Sequence, residues 1–233
     1  MFEAVLFDLY DTLAYIEIED YLRTKAQMAA EAGVPADAFV AQWKQYTRPA
    51  ARGEVLTTEE RAARVLRDLG VDPTRQLIHR LSQLELDLQE QQVHLFPDTR
   101  EVLMRLKNKG LKLGLVTNAS LSTREVPKIL SIRTLFDTVV FSYAIGVRKP
   151  DPEIYLTACK RLTVLPSACL FVGDGNDREL DGAREVGMCT VMVGTKRDEL
   201  VRAEQGILCD YCIQTLSELI PIVETCLRRP FGI

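Results

Sequence analysis

The chain has 233 residues, 47% hydrophobic and 27% charged, with 29 Lys and Arg against 33 Asp and Glu. That length suits one large domain, or one domain carrying an insertion, with a substantial core. The net charge of −4 excludes a protein whose main task is to coat nucleic acid or anionic lipid, so an anionic partner needs a local positive site. The first apolar run, AVLF at 4–7, is short, ends on an acidic turn and predicts a buried strand. From Tyr15 to about Val93 apolar residues recur at helical spacing, as in Ala62, Val65, Leu66 and Leu69. Breaks at AGVP (32–35), RGEVLTT (52–58) and GVDP (70–73) divide this stretch into four expected helices, one of them opening at Thr58 with Glu59 and Glu60 behind it. Tyr15, Tyr21, Phe39, Trp43 and Tyr46 are expected to pack these helices together.

After Pro97 the pattern changes. Asp98 or Thr99 caps a helix that runs through Val102, Leu103 and Leu106 to a stop at Gly110. Four short apolar runs follow, LKLGLVT (111–117), DTVVFS (137–142), ACLFVG (168–173) and CTVMVG (189–194), each preceded by a helical stretch or connector. This alternation predicts right-handed βαβ units and a parallel sheet. Residues 208–213 read as a further edge strand, and a closing helix is expected from about Thr215 to Arg228.

Other classes drop out. No apolar run approaches the ~18 residues of a membrane span, and MFEAVLFDLYD reaches Asp8 too soon for a signal peptide. The six cysteines, Cys159, Cys169, Cys189, Cys209, Cys212 and Cys226, crowd the last third of the chain and read as reduced, in a cytoplasmic setting. Cys209 and Cys212 form a lone CxxC; with only His79 and His94 available, they read as packing residues rather than a zinc site.

In an open parallel sheet the ligand meets the carboxyl ends of the strands. There the sequence places Asp8 in FDLYDTL, Thr117-Asn118, Lys149 in GVRKPDPEIY, and Asp174 in GDGNDRELDGA. An aspartate at a strand end can act as a nucleophile. Asp174 could share a Mg²⁺ with it, and Mg²⁺ favours such hard oxygen ligands. Lys149 can stabilise both the nucleophile and the charge on a transferred group. The Thr117 hydroxyl and the backbone near Asn118 can hold a phosphoryl oxygen. Asp151-Pro152 reads as the N-cap and first residue of the next helix.

These four segments, in this order, resemble the haloacid dehalogenase-like hydrolase superfamily, and the insertion after FDLYDTL resembles that family's helical cap. The resemblance implies an α/β fold: a Rossmann-like doubly wound parallel sheet formed by 1–14 and 95–233, with an all-helical cap at 15–94. It implies Asp8 as nucleophile, Thr117 as the second-motif hydroxyl, Lys149 as the third-motif lysine and Asp174 as the fourth-motif metal ligand. Glu179 or Asp177 would supply the further acid; Glu179 is preferred because Gly182-Ala183 then falls at the family's Gly-Ala pair.

The first motif departs from the phosphatase pattern. Tyr10 stands where phosphatases of this family carry a second aspartate. A tyrosine, with an ordinary pKa of ~10, is a poor base. Tyr10 would then offer the metal only its backbone carbonyl and pack its ring against the cap. Asp11 would point away from Asp8 in an extended segment, unless the turn changes the phase. The dehalogenase branch has tyrosine at this position, and a halide leaves without a proton. The acid cluster pulls the other way, because buried carboxylates without a cation are costly. The expectation is therefore a Mg²⁺-dependent phosphatase of a small phosphorylated metabolite. A 2-haloacid dehalogenase and a weakly catalytic or non-catalytic metabolite-binding module are the alternatives. Arg52, in the Arg52-Gly53 break, is the expected cap residue for the substrate anion.

Overall fold

The computed structural model describes residues 1–194 and 196–227. Among the described residues eight strands are formed: β1 (Ala4–Phe7), β2 (Ala14–Ile16), β3 (Val93–Leu95), β4 (Lys112–Thr117), β5 (Thr138–Phe141), β6 (Cys169–Gly173), β7 (Cys189–Val193) and β8 (Tyr211–Ile213). Six of them make one parallel sheet in the order β5-β4-β1-β6-β7-β8, while β2 and β3 pair antiparallel beside it. Every apolar run expected to form a sheet strand does so. The reason is burial: β1, β6 and all but the first residue of β4 are covered on both faces, as a parallel sheet requires.

Five helices stand between β2 and β3: α1 (Ile18–Ala32), α2 (Ala36–Gln45), α3 (Thr47–Ala51), α4 (Thr58–Asp68) and α5 (Arg75–Gln91). Their apolar faces meet in a core of their own around Met28, Phe39, Trp43, Leu66 and Leu81. The fifth helix is the short α3, which carries Pro49 in its first turn, where the missing N–H does no harm. Thr57 and Thr74 cap α4 and α5 by accepting from the N–H groups of Glu60 (3.0 Å) and Leu77 (3.3 Å). Tyr15 does not join these helices. It lies on β2 opposite His94 and packs on Phe96, ring centroids 4.9 Å apart, because the three-residue ribbon β2–β3 ties the two chain crossings together.

The remaining helices are α6 (Thr99–Asn108), α7 (Val126–Ile129), α8 (Ser142–Ile145), α9 (Pro152–Leu162), α10 (Glu179–Glu185), α11 (Lys196–Glu204) and α12 (Leu219–Leu227). Strand alternation sends Val5 and Phe7 to the side of α6 and α12, and Ala4 and Leu6 to the side of α9 and α10. Asp98 occupies the N-cap of α6, but its carboxylate accepts from the Ser217 N–H (2.8 Å) and hydroxyl (2.9 Å). Thr99 donates to the Leu13 carbonyl at 2.8 Å. Both expected capping side chains are thus used to tie distant segments together. Asp151 does cap α9, accepting from Glu153 N–H at 2.9 Å with Pro152 in the first position. The closing helix begins as a short 3-10 turn, Leu216–Glu218, and continues as α12; Arg228 lies outside the described residues.

Candidate active site

β1 lies between β4 and β6, so the chain departs from it to both sides of the sheet. That reversal opens a crevice at its carboxyl end. Asp8 follows β1 directly, Thr117 ends β4, and Asp174 follows β6. Lys149 lies on the loop that leads from α8 into α9 and is 2% exposed. Its ammonium bonds both Asp8 Oδ1 and Glu179 Oε2. Burial works against the Lys149 charge, yet the two carboxylates outweigh it and its pKa is raised. Asp174 is pushed up to about 6 by burial and by the charge of Asp8. Burial also holds Glu179 well above the ordinary carboxylate range, with Lys149 offsetting part of the effect.

Two glycines make this packing possible. A Cβ at Gly173 would fall inside contact distance of Glu179 Oε1, and one at Gly182 inside contact distance of the Pro150 carbonyl. Glu179 thus fits beneath the end of β6, and α10 fits against the lysine loop. The Tyr155 hydroxyl donates to the Glu179 carbonyl at 2.7 Å and steadies the start of α10.

The cleft, about 130 Å³, is lined by Asp8, Tyr10, Asp11, Thr117, Asn118, Lys149 and Asp174, among others. Asp11 reaches it because its backbone is left-handed (φ 58°), which breaks the alternation that would have turned it away. Packing around Asp11 and the charge of Asp8 raise its pKa. Tyr10 sends its hydroxyl to Gln89 on α5, and burial raises the phenol pKa, so it keeps its proton. Asn118 accepts from Lys149 N–H (2.8 Å), donates to Lys149 carbonyl (3.1 Å) and donates to Asp177 (2.9 Å). Asp177 also accepts from Arg148. It braces the lysine loop, whereas Asp8, Asp174 and Glu179 bring oxygens within 4.8 Å of one another.

Residues 2–187 match the haloacid dehalogenase-like hydrolase family. The chain belongs to the haloacid dehalogenase-like hydrolases. A glyceraldehyde 3-phosphate phosphatase from Methanopyrus kandleri is 31% identical over 229 residues, 96% of this chain and 97% of that one. The crystal structure of a HAD phosphatase from Thermococcus onnurineus aligns with a TM-score of 0.69 at 25% identity, covering 95% of this chain and 97% of that one. The 2-haloacid dehalogenase from Pseudomonas syringae aligns with a TM-score of 0.73 at 25% identity, covering 97% of this chain and all of that one.

In this hydrolase, Arg52 does not line the cleft. It ends α3 with an exposed side chain. The next residue, Gly53, turns with φ 72° so close to Tyr143 that a Cβ would lie 2.6 Å from that carbonyl, and this turn carries Arg52 outward. Sequence reasoning missed two residues at the site, Asn176 and Arg202. Arg202, on α11, donates to Asn176 at 2.5 Å and lies 3.7 Å from Asp174 Oδ2, and Asn176 in turn bonds Asp174. Asn176 stands inside the GDGND motif and could have been suspected there, but Arg202 is far along the chain. Among the described residues no helix is long and apolar enough to cross a membrane.

Proposed function

We propose that this hydrolase is a Mg²⁺-dependent phosphatase of small phosphorylated metabolites, with Asp8 as the nucleophile. The charge count at the strand ends carries the reading: four carboxyl groups, Asp8, Asp11, Asp174 and Glu179, face two cations, Lys149 and Arg202. A dication would close that deficit, and the oxygen-only donor set suits Mg²⁺. The Methanopyrus kandleri relative, named a glyceraldehyde 3-phosphate phosphatase, supports the same reading over nearly its whole length. A cleft of about 130 Å³ is small beside the usual ligand pockets of ~300–1,000 Å³ and favours a substrate of few carbons.

Asp8, Asp174 and Glu179, with the Tyr10 backbone carbonyl, would hold the ion. When bound, Mg²⁺ supplies positive charge that offsets repulsion between Asp8 and the phosphoryl group. Asp8 attacks phosphorus, its oxygen forms an acyl phosphate, and the bond from phosphorus to the leaving oxygen breaks. Lys149 orients Asp8 and balances charge on the phosphoryl oxygens, helped by the Thr117 hydroxyl and the backbone at Asn118. Asp11 is the cleft carboxyl that gives the leaving oxygen its proton and then takes one from water. Water attacks phosphorus, phosphate leaves, and Asp8 is restored.

Tyr10 favours a second reading, in which Asp8 displaces a halide from a 2-haloacid and no proton donor is needed. The assay separates the two. Hydrolysis of p-nitrophenyl phosphate that needs Mg²⁺, stops with a chelator and falls by about 10³-fold or more in Asp8→Asn is the expected result. Chelator-insensitive halide release without phosphate release would replace the phosphatase reading with the dehalogenase one.

A further inference from the structure

The helices between β2 and β3 hold a second charged cluster. Lys25 on α1 is fully buried and bonds Glu85 on α5, itself buried. Arg61 on α4 is 8% exposed. Both cations flank Trp43: the Lys25 ammonium lies 4.6 Å and the Arg61 guanidinium carbon 4.3 Å from its ring centroid. Arg61 donates to the Trp43 carbonyl at 2.7 Å and the Thr47 hydroxyl at 3.0 Å. Its Nε is buried without a hydrogen-bond partner. Glu85 is the carboxylate that acts on both cations, and it is already bonded to Lys25. The cluster therefore holds two positive charges against one negative. A buried charge in excess is costly, and an incoming anion would relieve it.

Two segments link the cluster to the cleft, the one that follows Asn118 and helix α5. Arg61 and Glu85 line a cavity of about 10 Å³ whose other wall is Ser120–Ser122, on the segment that follows Asn118. On α5, Gln89 sits one turn beyond Glu85 and accepts from the Tyr10 hydroxyl, so one helix face borders both places. A cavity of that size takes one water-sized group. It is too small for a second phosphoryl group but admits an oxygen of a carboxylate.

Resting on the phosphatase reading above, we propose that Arg61 is a substrate-reading residue that receives the carboxylate of a small phosphomonoester whose phosphoryl group lies at Asp8. The substrate class is then a short phosphorylated hydroxy acid. The Lys25–Glu85 pair is neutral within itself and, with the Trp43 ring, holds the guanidinium in place.

The test compares kcat/KM for 3-phosphoglycerate and glycerol 3-phosphate, which differ by a carboxylate against a hydroxymethyl group. The wild type prefers the acid by about 10- to 100-fold, the range of a charge-assisted hydrogen bond. Arg61→Gln brings the ratio towards unity, and Arg61→Lys retains part of it. Because both substrates are read on the same sample, the ratio does not depend on the fraction folded. A wild type without preference for the acid, or an Arg61→Gln protein that keeps the full ratio, overturns the proposal. If the wild type hydrolyses p-nitrophenyl phosphate yet shows no preference, this inference alone falls. If it hydrolyses no phosphomonoester, the phosphatase reading falls and takes the inference with it.

Discussion

Lys149 is the residue on which the electrostatics of the cleft turn. It is the ammonium shared by Asp8 and Glu179, and Asn118 holds its backbone from both sides. Lys149→Met would keep the volume and remove the charge, leaving buried carboxylates uncompensated. Loss of one partner from a buried ion pair costs about 3–5 kcal/mol. Urea unfolding at pH 7 should register a loss of that order, and added Mg²⁺ should recover part of it. A variant as stable as the wild type without metal would mean that Glu179 and Asp8 do not depend on the lysine. The role of Lys149 was legible because it falls after a strand and before a Pro-led helix. The αL turn at Asp11 was not, since no glycine marks it; a polar side chain adopts that conformation here in place of glycine.

At the scale of elements, the sheet strands were legible as short apolar runs because both faces of the sheet are buried. The ribbon β2–β3 was not, because three residues are too few for an alternating pattern to stand out. The cluster of Lys25, Arg61 and Glu85 was invisible for another reason: its members lie on three helices and meet only after packing. One joint between elements is testable through pH. The Asp137 carboxylate, just before β5, accepts from Leu113 N–H on β4 at 2.7 Å and from Lys107 on α6 at 2.6 Å. Desolvation opposes these bonds, but they win and the pKa is lowered. A lowered folded pKa means that the stabilisation is complete above the unfolded value of ~3.9 and is lost as pH falls through the folded value. Asp137 is exposed, so screening limits the effect to about 0.5–1 kcal/mol. Asp137→Asn should be less stable than the wild type by that amount at pH 7, with the two converging as pH falls through the lowered pKa of the folded carboxyl. A gap independent of pH would show that the carboxylate charge contributes nothing.

For the whole molecule, the account depends on convergence. A carboxylate near the amino terminus, a hydroxyl from β4, a lysine from before α9 and acids from after β6 reach one cleft because a parallel sheet brings its carboxyl ends to one edge. The helices between β2 and β3 then supply Gln89, which accepts from the Tyr10 hydroxyl. The most direct test of the central claim is peptide mapping of protein acid-quenched during turnover of p-nitrophenyl phosphate with Mg²⁺. The account predicts a phosphoryl adduct on the peptide that contains Asp8, absent from Asp8→Asn. Sustained phosphate release with no adduct on that peptide, or an Asp8→Asn protein as active as the wild type, would contradict it.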